Sequence, residues 1–440
     1  VFADIAYQTG NYTFKSISAY SELDVSYSED NDLTPFDITI FRQNTEQENF
    51  TQEFRVNADF DRWRLTGGVY YLDIDGTYFQ NFQINNLGNF NEILAPIPVL
   101  ILPVGFNQFA DYELETRSWS VFTQGEYDLT QQLTFTVGFR YTQDEKDYAY
   151  LNTCENLLPQ PACPPAFDPT TLAGAGLITD SHDEDGVSAR LQVDYAVSDD
   201  WLLFASYNRG YKAFNYNAGF AGAAGLADVR FDGEFLNAYE IGTKLDFWEH
   251  RARFNVSAFY YDYNDYQAFD QRGPQFILSN TDASIYGAEA EFAVSPGYGI
   301  NLQAGVALLD TDVEDIPIGG QLLDREAPQS PDLTFNFFIS KDFQLDAGTV
   351  RLSFDGAYTD AYFSQLTNAP VTLVDSNWLL NTRLSFTSKD ERWEAAIFAR
   401  NLLDEERQVY AFDITFPGNG LVEQTYAPPR WVGGQIRYNF

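Results

Sequence analysis

The last eleven residues, Arg430-Trp431-Val432-Gly433-Gly434-Gln435-Ile436-Arg437-Tyr438-Asn439-Phe440, decide the fold. Read alternately, Val432, Gly434, Ile436, Tyr438 and Phe440 form an apolar row, and Gly433, Gln435, Arg437 and Asn439 form a polar one. A period of two belongs to a strand with two unlike faces. A terminal strand of this kind, with Tyr438 and Phe440 on its apolar side, is expected to close a transmembrane barrel. In lipid an unpaired last strand could not persist.

The same alternation runs back through the chain. Val187, Ala189, Leu191, Val193 and Tyr195 oppose Ser188, Arg190, Gln192 and Asp194; Leu133, Phe135, Val137, Phe139 and Tyr141 oppose Thr134, Thr136, Gly138, Arg140 and Thr142. Roughly seventeen strands can be counted, joined alternately by short turns and long excursions, as in outer-membrane barrels. Short turns are expected at 129–132, 198–200, 249–251, 295–299, 344–348 and 388–392 and are assigned to the periplasm. Long loops are expected at about 22–48, 83–111, 151–184, 214–233, 270–283, 312–331, 363–375 and 417–429, outside the cell. Aromatics crowd the strand ends (Tyr70-Tyr71, Tyr260-Tyr261, Tyr207 with Tyr211), where interfacial girdles belong. A soluble propeller or sandwich also alternates, but its outer face would be polar.

Composition agrees. The 440 residues are 17% aromatic and carry a formal net charge of −38, which argues against nucleic acid as a partner. No linker divides the chain, so residues 1–440 read as one barrel domain. The start at Val1 inside a strand and the absence of Met suggest a piece of a longer chain. No nucleophile elbow or HExxH-like motif is present, and the two histidines, His182 and His250, fall at opposite ends of the expected topology, so no enzyme is expected.

Several stretches together resemble a known family. They are Glu46–Arg55 followed by Gly67-Gly68-Val69-Tyr70-Tyr71; Ser118–Tyr127 with Val137–Thr142; Ser206-Tyr207-Asn208-Arg209-Gly210-Tyr211-Lys212 with Tyr239–Lys244; and Asn401-Leu402-Leu403-Asp404 with Pro429-Arg430. In this order they resemble the barrel of a TonB-dependent receptor, of the kind abundant in sphingomonads and related alphaproteobacteria. The resemblance implies an all-β, antiparallel outer-membrane barrel of about 22 strands with a plugged lumen, of which this chain supplies about the last seventeen. It further implies a plug domain, the TonB–ExbB–ExbD system, lipopolysaccharide and membrane lipid as partners, and uptake of a small-molecule ligand. A ferric siderophore is the default, with no covalent cofactor. Ala213-Phe214 departs from the family, whose members commonly have small residues there. A passive porin-like channel and a surface structural protein are the other readings.

Candidate sites follow from chemistry. Cys154 and Cys163 bracket a Pro-rich stretch and are expected to form a disulfide in an oxidising compartment. Tyr211, Phe214, Tyr216, Phe220 and Arg230 lie on a Gly/Ala-rich loop, where stacking and charge could catch an aromatic, anionic ligand, although stray girdle aromatics would look the same. The apolar loop containing Ile93, Leu94, Val99, Leu100, Ile101 and Leu102 either touches a ligand or partner or packs into the barrel mouth. Asp180, Asp183 and Asp185, and Asp310, Asp312 and Asp315, offer hard oxygens for Ca²⁺, but neither has EF-hand spacing and a solvated charge run reads the same. Arg140, Arg190, Arg351, Arg383 and Arg437 are expected to face the lumen.

Overall fold

A computed structural model describes residues 1–30, 38–85, 105–157, 177–217, 229–272, 275–413 and 422–440. Eight long strands come first: β1 (Phe2–Thr9), β2 (Tyr12–Asp30), β3 (Thr39–Asp59), β4 (Trp63–Ile84), β5 (Phe106–Asp128), β6 (Leu133–Asn156), β7 (Ile178–Ser198) and β8 (Trp201–Lys212). The meander continues through Glu234–Phe247, Ala252–Arg272, Gln275–Gly297, Ile300–Ile318, Leu333–Leu345, Gly348–Thr359, Asn377–Ser388, Trp393–Arg400 and Trp431–Tyr438. Each pairs antiparallel with the next in a single 18-stranded sheet, whose remaining member, Gln321–Arg325, is a short hairpin partner of Ile300–Ile318. Among the described residues β1 and the last strand have no partner on their outer edges.

Two unlike solvents explain the alternation. One paired row runs Leu65, Gly125, Val137, Leu191, Tyr207, Tyr239, Tyr260 and Tyr286 across eight strands. Val137 is 56% and Leu191 50% exposed on that face, as side chains directed into lipid would be. The opposite face is polar near the short turns, where Arg64 binds Glu126 and Asp128, and Arg55 binds Glu53. Arg140, Arg190, Arg351, Arg383 and Arg437 all lie on this lumen side. Arg140 rests over the rings of Tyr70 and Phe122, and Arg383 over Phe398. Lumen aromatics lie flat where a neighbouring strand offers glycine: a Cβ on Gly242 would sit 2.5 Å from Phe204 Cζ and 2.7 Å from Val256 O.

The short turns fall within a residue or two of their expected places. The strands, however, run much further outward than expected. β2 and β3 stay paired up to Asp30 and Ile40, through most of what reads as a polar excursion. Ala252–Arg272 and Gln275–Gly297 pair as far as Arg272 opposite Gln275, where a longer loop was expected. Above the lipid belt the outward face turns acidic (Glu22, Asp24, Glu46, Glu48, Asp75, Asp111, Glu113), so these extensions are hydrophilic strands.

Candidate functional site

The wall above the belt carries the candidate site, on the side that faces the lumen lower down. There β3–β7 align their inward residues in cross-strand rows. One row is Thr45, Tyr78, Tyr112 and Tyr150, and the next is Gln47, Gly76, Leu114 and Tyr148. Tyr78 and Tyr112 stack at 4.6 Å and 7°, and the Tyr78 hydroxyl donates to Gln47 Oε1 at 3.2 Å. Tyr78 can lie flat because Gly76 beneath it has no Cβ, which would otherwise sit 2.4 Å from the phenolic oxygen. Phe82, Ile84, Phe106, Ala110, Tyr148 and Tyr150 form a buried cluster beside these rings.

The connection after β8 folds onto this cluster. Phe214 is fully buried and Tyr216 nearly so; Tyr216 stacks on Tyr148 at 4.3 Å and 3°. Lys146, 7% exposed, donates from Nζ to the Phe214 carbonyl at 2.7 Å, and its ammonium stands 5.2 Å from the Phe214 ring. Burial brings this ammonium down to about 8, against the opposing pull of Asp144 and Glu184. Burial likewise pushes the Glu184 carboxyl up, although Glu184 accepts the Gly233 N–H at 3.2 Å. Asp180 accepts the Tyr216 hydroxyl at 2.7 Å and pairs with Arg230 at 3.1 Å. Gln267 Nε2 donates to the carbonyls of Ala213 and Asp232, and Lys212 pairs with the buried Glu234. Both flanks of the connection are therefore pinned to the wall.

This geometry alters the expectations. Phe214 and Tyr216 are packing elements of the wall, with no exposed face to catch a ligand, and Arg230 has its charge engaged by Asp180. Tyr211 packs 5.2 Å from Phe235. Asp180 faces inward, whereas Asp183 and Asp185, at odd steps from it, sit on the exposed outer face, so the three cannot converge on one cation. Asp310 and Asp312 precede a register shift, and Asp315 lies within it at φ 54° with its N–H donating to Asp324. Among the described residues no three His, Cys, Asp or Glu side chains gather to hold a metal ion. Cys154, on β6, is disulfide-bonded. Cys163, Phe220, Ile93, Leu94, Val99, Leu100, Ile101 and Leu102 lie outside the described residues. Tyr438 stacks on Trp393 at 4.7 Å, and Phe440 follows it. Sequence reasoning passed over Lys146, Tyr148, Tyr150, Tyr78 and Tyr112. The available signal was the continued alternation of β4–β6 above the belt.

A long antiparallel meander with a lipid-facing apolar belt, a polar lumen and an elaborated outer end defines an outer-membrane β-barrel. The family model described as "TonB dependent receptor-like, beta-barrel" matches residues 2–402, and the chain belongs to that family of receptors. Among solved structures it is similar to the ferric yersiniabactin uptake receptor FyuA from Yersinia pestis, with a TM-score of 0.76, 17% identity, and coverage of 99% of this chain and 60% of that one. It is also similar to the siderophore receptor PiuA from Acinetobacter baumannii (TM-score 0.71, 15% identity, 98% and 63% covered). The ferripyoverdine receptor of Pseudomonas aeruginosa matches with a TM-score of 0.63, 13% identity, and 100% and 56% covered. The chain thus spans less than two thirds of the length of these structures.

Proposed function

We propose that the protein captures a scarce, bulky solute at its extracellular mouth and imports it across the outer membrane using TonB-transmitted energy. A ferric siderophore or a similar iron complex is the cargo. The observation that carries this reading is the mouth itself, a concentrated wall of stacked tyrosines and carboxamides with a pinned loop beside it, joined to a receptor barrel. Such a surface binds a large ligand in one orientation, which a passive channel does not need. On this reading the lumen arginines face a plug domain, TonB–ExbB–ExbD supply the work, and the acidic outer collar shares divalent cations with lipopolysaccharide. The protein acts as a receptor and catalyses no covalent step. The test is uptake of radioiron complexes by iron-starved cells with and without the gene. Uptake that needs the gene and stops on adding an uncoupler is expected. Gene-dependent entry that ignores the uncoupler would mean a passive channel.

A further inference from the structure

Among the described residues, the inward face of β2–β5 above the level of Tyr70 carries no charge short of Glu29 at the outer end of β2. On the inward face, β2 from Ala19 to Tyr27, β3 from Phe41 to Thr51, β4 from Leu72 to Ile84 and β5 from Phe106 to Ser118 contain no Asp, Glu, Lys, Arg or His. Glu29, which accepts the Tyr27 hydroxyl, is the next inward residue of β2, and Arg140 lies below, over Tyr70 and Phe122. The outward residues of the same segments include Glu22, Asp24, Glu46, Glu48, Asp73, Asp75, Asp111, Glu113 and Glu115. Since charge is plentiful one residue away at each step, its absence inside follows the face and not the local composition.

What fills the inner face is specific. Gln43, Gln47 and Asn49 are half-buried carboxamides beside the Tyr78–Tyr112 stack, and Leu23, Val25 and Tyr27 are exposed next to them. Gln80 Oε1 and Gln108 Oε1 are buried acceptors with no hydrogen-bond partner. Of the neighbouring cations, Lys146 is committed to the Phe214 carbonyl and Arg140 lies lower, over the rings of Tyr70 and Phe122. Apart from Glu29 at the outer end of β2, the inward charges of β2–β5 (Lys15, Glu53, Arg55, Arg64, Glu126 and Asp128) lie toward the short turns. Flat rings with amide donors and acceptors recognise neutral groups that have apolar faces and hydrogen-bonding edges. A buried anion would need a cation that this wall lacks.

We propose that the β2–β5 wall selects an electroneutral ferric complex, of the trihydroxamate kind, through Tyr78, Tyr112, Gln43, Gln47 and Asn49, and discriminates against tris-catecholate complexes. Three singly charged hydroxamates cancel the charge of a ferric ion, whereas three doubly charged catecholates leave a trianion. The formal net charge of −38 acts in the same direction, because it repels an approaching anion. The inference rests on the iron-complex reading and narrows it.

The experiment measures binding of a neutral ferric trihydroxamate and of a ferric tris-catecholate to the protein purified from its native outer membrane in detergent, by tyrosine fluorescence quenching. The neutral complex should bind at least tenfold more tightly. Tyr78→Ala should weaken it about tenfold. Gln47→Lys should move the preference at least tenfold toward the trianion, while Glu46→Gln, on the outer face of the same strand, should change neither. Equal or tighter binding of the trianion by the unaltered protein would overturn the neutral-ligand inference and leave iron uptake standing. If neither complex binds, the iron reading falls and the inference with it.

Discussion

Lys146 offers a quantitative test of how the connection after β8 is held. Its ammonium is 7% exposed and sits at about 8, against an ordinary value of 10.5. At ~1.4 kcal/mol per unit, that shift corresponds to about 3 kcal/mol of disfavoured charge in the docked state. The sign follows from the lowered value. Below pH 8 the group is charged both docked and solvated, so the penalty is present in full; as pH rises toward 10.5 the docked amine becomes neutral first and the penalty fades. Docking should tighten through that window, by up to about three-hundredfold in its equilibrium constant at the limit. The neighbouring phenols Tyr148, Tyr211 and Tyr216, which burial pushes up, stay protonated in both states below about pH 9.5, so the slope between about pH 8 and 9.5 belongs to Lys146. The assay is hydrogen exchange of peptides covering 213–217 and 229–234, corrected for the intrinsic rate at each pH. Lys146→Met removes the titrating group and one hydrogen bond, so its protection should be flat with pH and, at pH 7.5, no weaker than that of the unaltered protein. A flat profile in the unaltered protein, or a sloped one in Lys146→Met, would refute the assignment of the strain to this ammonium.

Three further substitutions probe the wall. Val137→Arg places a charge in the middle of the lipid belt and should cost about 2–4 kcal/mol in denaturant unfolding from bilayers, whereas Gln192→Arg, on the lumen face, should cost far less. Gly242→Val drives a side chain into Phe204 and the Val256 carbonyl and should cost about 1–3 kcal/mol, read as a lower temperature for loss of heat-modifiable gel mobility. Asp180→Asn removes the charge holding Arg230 while leaving an acceptor for Tyr216. Since that carboxylate is largely buried, exchange protection at 229–234 should fall by about fivefold, with the barrel strands unaffected.

How much of this was legible depends on which solvents meet at each level. Within the belt, lipid on one face and a polar lumen on the other force period two, and Leu133–Tyr141 or Val187–Tyr195 could be assigned from sequence alone. Above the belt the outer face meets water, and Ser21–Asp30 reads as a loop although Leu23, Val25 and Tyr27 still alternate with Glu22, Asp24 and Ser26. The pattern survived there, but its mean polarity hid it. The pinned connection was illegible for a different reason. Its contacts join Lys146 to Phe214 and Asp180 to Arg230 across long stretches of chain, and no local period records them. Phe214 and Tyr216 read, from a Gly/Ala-rich stretch, as loop aromatics available to a ligand. Their burial reverses what such residues would do if exposed.

The same separation of faces bears on how a net charge should be read. A value of −38 invites the conclusion that an acidic protein presents acid to its ligand. Here most of the β2–β5 acids above the belt lie on the outer face, a position that lipopolysaccharide and bulk counterions can reach and a solute inside the mouth cannot. At about 0.1 M salt the Debye length is about 10 Å, comparable to the separation of the two faces across one strand, so the collar's field is weak inside the mouth but acts on an ion still approaching it. If the proposed selection holds, the collar governs encounter and the wall governs what stays bound. On the proposed reading a trianion would be disfavoured at both stages, through slower approach and through the absence of a cation among the inward residues of β2–β5 above Tyr70. A neutral complex crosses the collar's field without cost and meets tyrosine and carboxamide groups suited to it. On that reading, two opposite compositions on alternate residues of four strands would act as successive filters with the same preference.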